Sequence, residues 1–247
     1  LVRRFLLDFP DKHIGIISVD PTKKKTGGAL LGDRIRMNAI RNKRVYMRSM
    51  ATRQSNLAVS KHIHDAVSIL KAAKFDLIIL ETSGIGQSDT QITDYCDLSM
   101  YVMTPEFGAA TQLEKIDMLD FAQFIAINKF DRKGASDALR DVAKQVQRNK
   151  EAWGKRPEEM PVFGTMASRF NDDGVTALYQ ALKPRLIELG LPLSAGSLPS
   201  VATRHSSHQS TIVPGARVRY LADIADTVRS YKRHAREQAR IAREMQQ

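Results

Sequence analysis

Six short runs rich in β-branched and aliphatic residues, at 13–19, 45–50, 77–80, 98–103, 124–127 and 162–164, alternate with segments whose residues recur at helical spacing. Leu57, His64, Val67 and Leu70 form one such series, Leu139, Val142 and Val146 a second, and Val175, Leu178, Leu182 and Leu186 a third. Strand runs that are apolar on both faces must be covered on both, and the helices between them supply the cover. The pattern therefore predicts an α/β fold, a mainly parallel sheet with helices on both faces. In such sheets ligands gather beyond the carboxyl ends of the strands. Polar clusters sit at those ends: Asp20-Pro21-Thr22, the stretch 48–53, Glu81-Thr82-Ser83-Gly84, Asn128-Lys129-Phe130-Asp131, and Thr165-Met166-Ala167.

At 247 residues and 43% hydrophobic content the chain can bury one substantial domain and carry an appendage. Its apolar runs are far shorter than the roughly 18 residues that cross a bilayer, so no membrane partner is expected. A single cysteine, Cys96, leaves no disulfide framework and fits a reducing, cytoplasmic setting. No signal-peptide pattern opens the chain. The first residues, 1–7, read as a helix already under way at Leu1, and we expect material upstream of it.

The net charge of +11 is uneven. Residues 1–61 hold 14 Lys and Arg against 4 Asp and Glu, residues 62–200 hold 15 against 19, and residues 201–247 hold 9 against 4. A phosphate-facing N-terminal third and a basic tail account for this surplus. The cations are not interleaved with aromatics and no nucleic-acid motif is present, so nucleic acid is not expected as a partner.

Composition changes after Gly190. The first domain is expected over 1–190 and a linker rich in Ser, Thr, Pro and Gly over 191–215. Over 216–247, Val218, Leu221, Ala225, Val228, Tyr231, Ala235, Ala239 and Ala242 give an amphipathic helix with a basic outer face. Its stripe has too little chain around it to form a core, so it is expected to lead into a further domain.

The tetrad Asn128-Lys129-Phe130-Asp131 carries the most specific chemistry. A carboxylate at Asp131 can accept two hydrogen bonds from the N1–H and 2-amino edge of guanine, donors that adenine lacks. Sites built to hydrogen-bond a ligand reject the analogue without those groups by roughly 10⁴. Lys129 can lie over the base, and Asn128 can pin neighbouring loops. Alone, Asn and Asp after a strand are ordinary turn formers; the companion clusters favour the site. Glu81 leaves the most apolar strand and can hold Mg²⁺, which prefers oxygen ligands. Gly84 lets a backbone N–H approach a phosphate without a Cβ in the way, although a glycine-rich turn beside a solvated Glu is the plain alternative. Asp20 and Asp33 are candidate Mg²⁺ ligands and Arg36 a candidate phosphate partner, where a solvated charged loop would look the same residue by residue. His62 and His64, two apart on a helix, do not share a face. The phosphate loop G-x-x-x-x-G-K-[ST] does not occur in this sequence.

The series D-P-x…T-G-G-x-L-L-G-D-R-I-R-M, R-S-M-A-T-R, E-T-x-G-I-G-Q-S and N-K-x-D, spread over residues 1–190, closely resembles the G-protein chaperones of adenosylcobalamin-dependent acyl-CoA mutases. The wording at 104–108 and 128–134 and the tail from Ala216 are most like members fused to their mutase domains. The resemblance implies a P-loop-type GTPase fold, with GTP or GDP and Mg²⁺ as ligands and adenosylcobalamin in the mutase domains of the same chain or a partner. It places the Val19 carbonyl, Asp20, Asp33, Glu81 and Thr82 at Mg²⁺, and Arg36 on the nucleotide. Asn128, Lys129 and Asp131 fall on guanine, with Thr165, Met166 and Ala167 beside them. Segments 48–53 and 104–115 become switches facing the mutase, Lys115 a nucleotide-sensing residue, and Gln87 a water-positioning one. The expected activity is GTP hydrolysis that gates cofactor loading, in a homodimer, with this piece inactive by itself for lack of the phosphate loop. Two alternatives stand beside it: a degenerate, non-hydrolysing interaction module, and a metal-insertion GTPase such as a nickel chaperone.

Overall fold

Ile14, Ile16, Ile17 and Val19 are all but inaccessible to solvent and put β1 (Ile14–Pro21) at the centre of a three-stranded parallel sheet. The computed structural model describes residues 1–21, 37–52, 62–82, 90–194, 196–207 and 220–246. It holds two compact units, Leu1–Ser207 and His208–Gln247. In the first unit β1 is flanked by β2 (Val45–Thr52), in register from Ile14↔Val45 to Pro21↔Thr52, and by β3 (Leu77–Thr82), from Ile14↔Leu77 to Val19↔Thr82. A second parallel sheet has the order β4 (Met100–Met103), β5 (Phe124–Asn128), β6 (Val162–Thr165).

The period of two along each central strand explains the layers. Ile14 and Ile16 pack with Phe5, Leu6 and Phe9 around α1 (Val2–Asp8). Ile17 and Val19 point the other way, onto Ile63 and Leu70 of α2 (Ile63–Ala72). Leu70 presses so closely that a Cβ on Gly15 would lie 2.8 Å from its methyl carbon. In β5, Ile125 and Ile127 join the cluster of Ala138, Val142 and Val146 from α5 (Ala135–Asn149). Phe124 and Ala126 pack with Ala177, Leu178 and Leu182 of α6 (Asp173–Glu188). Fully burying each such aliphatic side chain contributes about 1.5–3 kcal/mol. Two single-turn helices, α3 (Ala110–Leu113) and α4 (Met118–Phe121), bridge β4 to β5.

All six strand runs read from the sequence are strands. Five of them extend past their apolar residues into the polar cluster, as with Thr82, Asn128 and Thr165, because the ladder pairs backbone groups whatever the side chain. The fourth begins later than 98. The Ser99 amide donates to Gln123 Oε1 at 2.8 Å and its carbonyl accepts from Gln123 and Phe124, an arrangement that precedes the ladder.

The stretch 191–215 reads as linker, yet its first part belongs to the first unit. The Leu198 amide donates to Asp8, Gln180 exchanges hydrogen bonds with Pro199 and Val201, and Ser206 is buried. Lack of periodicity in that stretch reflects irregular backbone, whose polar groups are nonetheless paired. The second unit contains α7 (Tyr220–Glu244), with exposed Ile224, Val228, Tyr231 and Ile241. No helix among the described residues is long and apolar enough to cross a membrane.

Candidate functional site

At the carboxyl end of β5 the chain must turn sharply, and it does so at Lys129, whose φ of 58° lies in the left-handed region. A non-glycine residue holds that conformation at a cost of about 1–2 kcal/mol. The turn is closed by the Arg132 amide donating to the Lys129 carbonyl at 3.0 Å, and Gly134, with φ 80°, starts α5. Phe130 points inward, packs under β6 and has only 6% of its surface exposed. A Cβ on Gly164 would come 2.5 Å from the Phe130 ring, so a side chain at 164 would displace it. Asp131 and Lys129 stay exposed on either side of this anchor. Among the described residues the Asp131 carboxylate has no hydrogen-bond or ion-pair partner, leaving both oxygens available as acceptors.

The turn leaving β6 comes to the same place. Asn128 pairs with Thr165 in the ladder, and Asn128 Oδ1 accepts from the Ala167 amide at 3.0 Å and from the Thr165 hydroxyl at 3.4 Å. The Phe130 amide donates to the Thr165 carbonyl at 3.1 Å. Asn128, Lys129, Asp131, Thr165, Met166 and Ala167 thus form one cluster, with Thr165 and Met166 buried and Ala167 exposed. Two adjacent turns, each rigid, leave a carboxylate, an ammonium stem and backbone groups at one sheet edge. That is suited to a planar heterocycle with donors along one edge.

Further along that rim, Arg132 forms an exposed ion pair with Glu106 of the turn Pro105–Phe107. Hydrogen bonds from Thr104, from the Glu106 backbone and from Arg132 hold the Glu106 carboxyl down to about 2. Exposed pairs of this kind add little stability.

The other sheet brings a second set together by register. Val19 and Thr82 are direct neighbours on β1 and β3, Ser18 pairs with Glu81, and Asp20 follows at the end of β1. Glu81 is exposed and Thr82 half-buried. Carboxylate, hydroxyl and carbonyl oxygens from two adjoining strand ends fit the hard-oxygen preference of Mg²⁺. Asp33, Arg36, Gly84 and Gln87 lie outside the described residues. Lys115 is exposed in the turn between α3 and α4, and no described contact ties it to either cluster.

One group that the sequence did not single out is Asp172, 2% exposed at the start of α6. Its carboxylate accepts from the Val175 amide at 2.8 Å, the N-cap bond of that helix, and from the Met166 amide at 3.0 Å. The signal was present as Asn171-Asp172-Asp173 ahead of an apolar series, a helix-start signature. Its reach back to Met166 was not readable from spacing.

A family model described as methylmalonyl-CoA mutase-associated GTPase MeaB matches residues 2–189. The fused isobutyryl-CoA mutase of Cupriavidus metallidurans is 61% identical over 248 residues, covering 100% of this chain and 23% of that protein. That of Paraburkholderia xenovorans is 61% identical over 250 residues, covering 99% and 20%. The chain therefore spans about a fifth of the length of these curated relatives. Among solved structures, HypB from Helicobacter pylori in complex with nickel aligns with a TM-score of 0.50 at 18% identity, over 81% of this chain and 84% of that one. Likeness at that identity shows a shared fold.

Proposed function

Because the chain belongs to the family of methylmalonyl-CoA mutase-associated GTPases, we propose that it binds GTP and hydrolyses it to GDP and phosphate, as a chaperone module of an acyl-CoA mutase. The observation that carries this reading is the joint cluster of the β5 and β6 turns, in which Asn128 bonds Ala167 and Thr165 while the Asp131 carboxylate stays open to the edge of a guanine. Asp131 supplies selectivity, Lys129 covers the base, and Arg36 meets phosphate.

Mg²⁺, when bound, neutralises charge developing on the β- and γ-phosphate oxygens. The Val19 carbonyl, Asp20, Asp33, Glu81 and Thr82 are the donors that would hold it. Gln87 orients the attacking water in line with the leaving oxygen, the Gly84 amide meets a γ-phosphate oxygen, and Lys115 reports which nucleotide is bound. Hydrolysis biases a two-state switch in segments 48–53 and 104–115, whose mutase-facing surfaces differ between the GTP and GDP forms. In this reading the switch gates adenosylcobalamin loading into mutase domains of the same chain or a partner. The isomerisation belongs to those domains, and the assembly is a cytoplasmic homodimer.

The test is GTP and ATP turnover by this chain and by the same chain preceded by a phosphate-binding loop. Turnover of GTP alone, gained with the loop and lost in Glu81→Gln, supports the reading. Absence of turnover in both forms favours a non-hydrolysing interaction module. A metal-insertion role, the other alternative raised by the sequence, would instead show as stoichiometric Ni²⁺ binding in an equilibrium titration.

A further inference from the structure

The stretch 204–207, the last described before the chain passes into the second unit, lies along the outer edge of β6. The Gly164 amide donates to the Arg204 carbonyl at 3.0 Å and the Ser206 amide to the Gly164 carbonyl at 3.0 Å, a parallel bridge centred on His205. The Ser206 hydroxyl donates to Asp172 Oδ1, while Asp172 Oδ2 carries the Met166 and Val175 amides. Ser206 is 1% exposed, so this pairing is closed to water. The His205 ring lies 5.6 Å from that of Phe130, the anchor residue of the tetrad. Ser207 gives its amide and hydroxyl to Asp173.

The turn 165–167 therefore rests on two supports. Asn128 of the tetrad holds it from one side through Ala167 and Thr165. Asp172 holds it from the other through Met166. The Asp172 carboxylate is itself held in place by Ser206, 34 residues away in sequence. Only glycine fits at 174, where a Cβ would overlap the Gly164 carbonyl oxygen and sit 2.7 Å from the Ser206 amide. Such close approach leaves no slack between β6, the start of α6 and the returning segment.

We infer that Asp172 is a positioning residue of the base site and that 204–207 is its lock, so that guanine-nucleotide binding and docking of this segment on β6 reinforce one another. This rests on the guanine-site reading above. The coupling is reciprocal by thermodynamic necessity. Whatever draws 204–207 away from β6 loosens Met166 and weakens the hold on guanine, and bound guanine nucleotide makes the segment harder to draw away. Since the chain runs on from Ser207 into the second unit, the segment is a covalent route by which the state of the base site reaches the residues beyond 207.

The experiment is titration of the full chain with GDP and with ADP, for wild type and Ser206→Ala, with amide exchange at Met166, Ala167 and 204–207 followed with and without GDP. The expected result is a roughly fivefold weaker GDP affinity in Ser206→Ala, the low end of usual coupling between sites. ADP affinity stays unmoved, so selectivity falls. In wild type GDP slows exchange at 204–207. Selective GDP binding by wild type with no change in Ser206→Ala and no GDP effect on exchange would overturn the coupling and leave the guanine site standing. GDP bound no more tightly than ADP by wild type would overturn the guanine site and the coupling with it.

Discussion

The two sheets solve the same problem with unequal completeness. Each has three parallel strands, a central strand buried on both faces, and polar residues at the carboxyl end. In the β4–β5–β6 sheet the outer strand β6 is buried along its length, because α6 covers one face and 204–207 bonds to its edge. In the other sheet β3 is half-exposed over most of its length and β2 exposes Tyr46. The difference teaches where precision is needed. A base pocket discriminates by hydrogen-bond geometry, and a covered, braced edge holds two turns at fixed spacing. The strand ends of β1 and β3 offer hard oxygens, and Mg²⁺ there would keep several waters in its octahedral shell and need only one or two protein carboxylates held in place.

One joint between the halves is Asp8, whose carboxylate accepts from Lys183 at 2.8 Å, Tyr179 at 2.9 Å and the Leu198 amide at 3.0 Å. Breaking it should have the largest effect. Asp8→Ala leaves a mostly buried ammonium unpaired and is expected to lower stability by about 3–5 kcal/mol, read from the urea midpoint. An unchanged midpoint would mean that this cluster adds nothing to the apolar packing and the Arg4 hydrogen bonds that also join the halves.

Gly174→Ala addresses only the braced sheet. Its added methyl meets backbone, and a loss of about 2–3 kcal/mol is expected, with exchange rising at Gly164 and Ser206 but not along β1. Equal rises in both sheets would remove the distinction drawn above.

Acid should act more gently and in a defined window. Burial alone would raise the carboxyl of Asp8, but hydrogen bonds from Lys183, Leu198 and Tyr179 hold it below its ordinary 3.8. For Asp173 burial again opposes, and the Ser207 hydroxyl and amide prevail. Both are depressed carboxylates, so their contribution is complete above the unfolded value near 3.8 and disappears as pH falls through the lower folded value. A urea midpoint that drops as pH falls below 4 is the expected profile. A midpoint unchanged between pH 5 and 3 would contradict it.

The fold was legible in the sequence because alternating apolar runs determine which segments become strands, and Ile14–Val19 and Phe124–Ile127 have no other comfortable placement. The turn of the tetrad was legible because Asn128, Lys129 and Asp131 follow directly on the apolar run of β5, although Asn128 bonds to Thr165 and Ala167, 37 and 39 residues on. Asp172, Ser206 and Gly174 were not, since their roles exist only once residues 34 apart meet across β6. The stretch 196–207 hides its place in the first unit for a related reason: its bonds to Asp8, Gln180, Gly164 and Asp173 replace the periodicity that sequence reading relies on.

The smallest effect concerns Cys96, in the connection between β3 and β4. Burial, then Asp97 and Asp94, push its thiol up. Its alkylation at neutral pH should be slower than that of a free thiol.

The guanine site itself is tested most directly by calorimetric titration of the chain with GDP and ADP in Mg²⁺, beside Asp131→Asn. The account predicts heat from GDP and not ADP, with GDP affinity falling roughly tenfold to a hundredfold in the variant, the value of hydrogen bonds to a charged acceptor. Equal binding of both nucleotides, or GDP binding indifferent to Asp131, would contradict it.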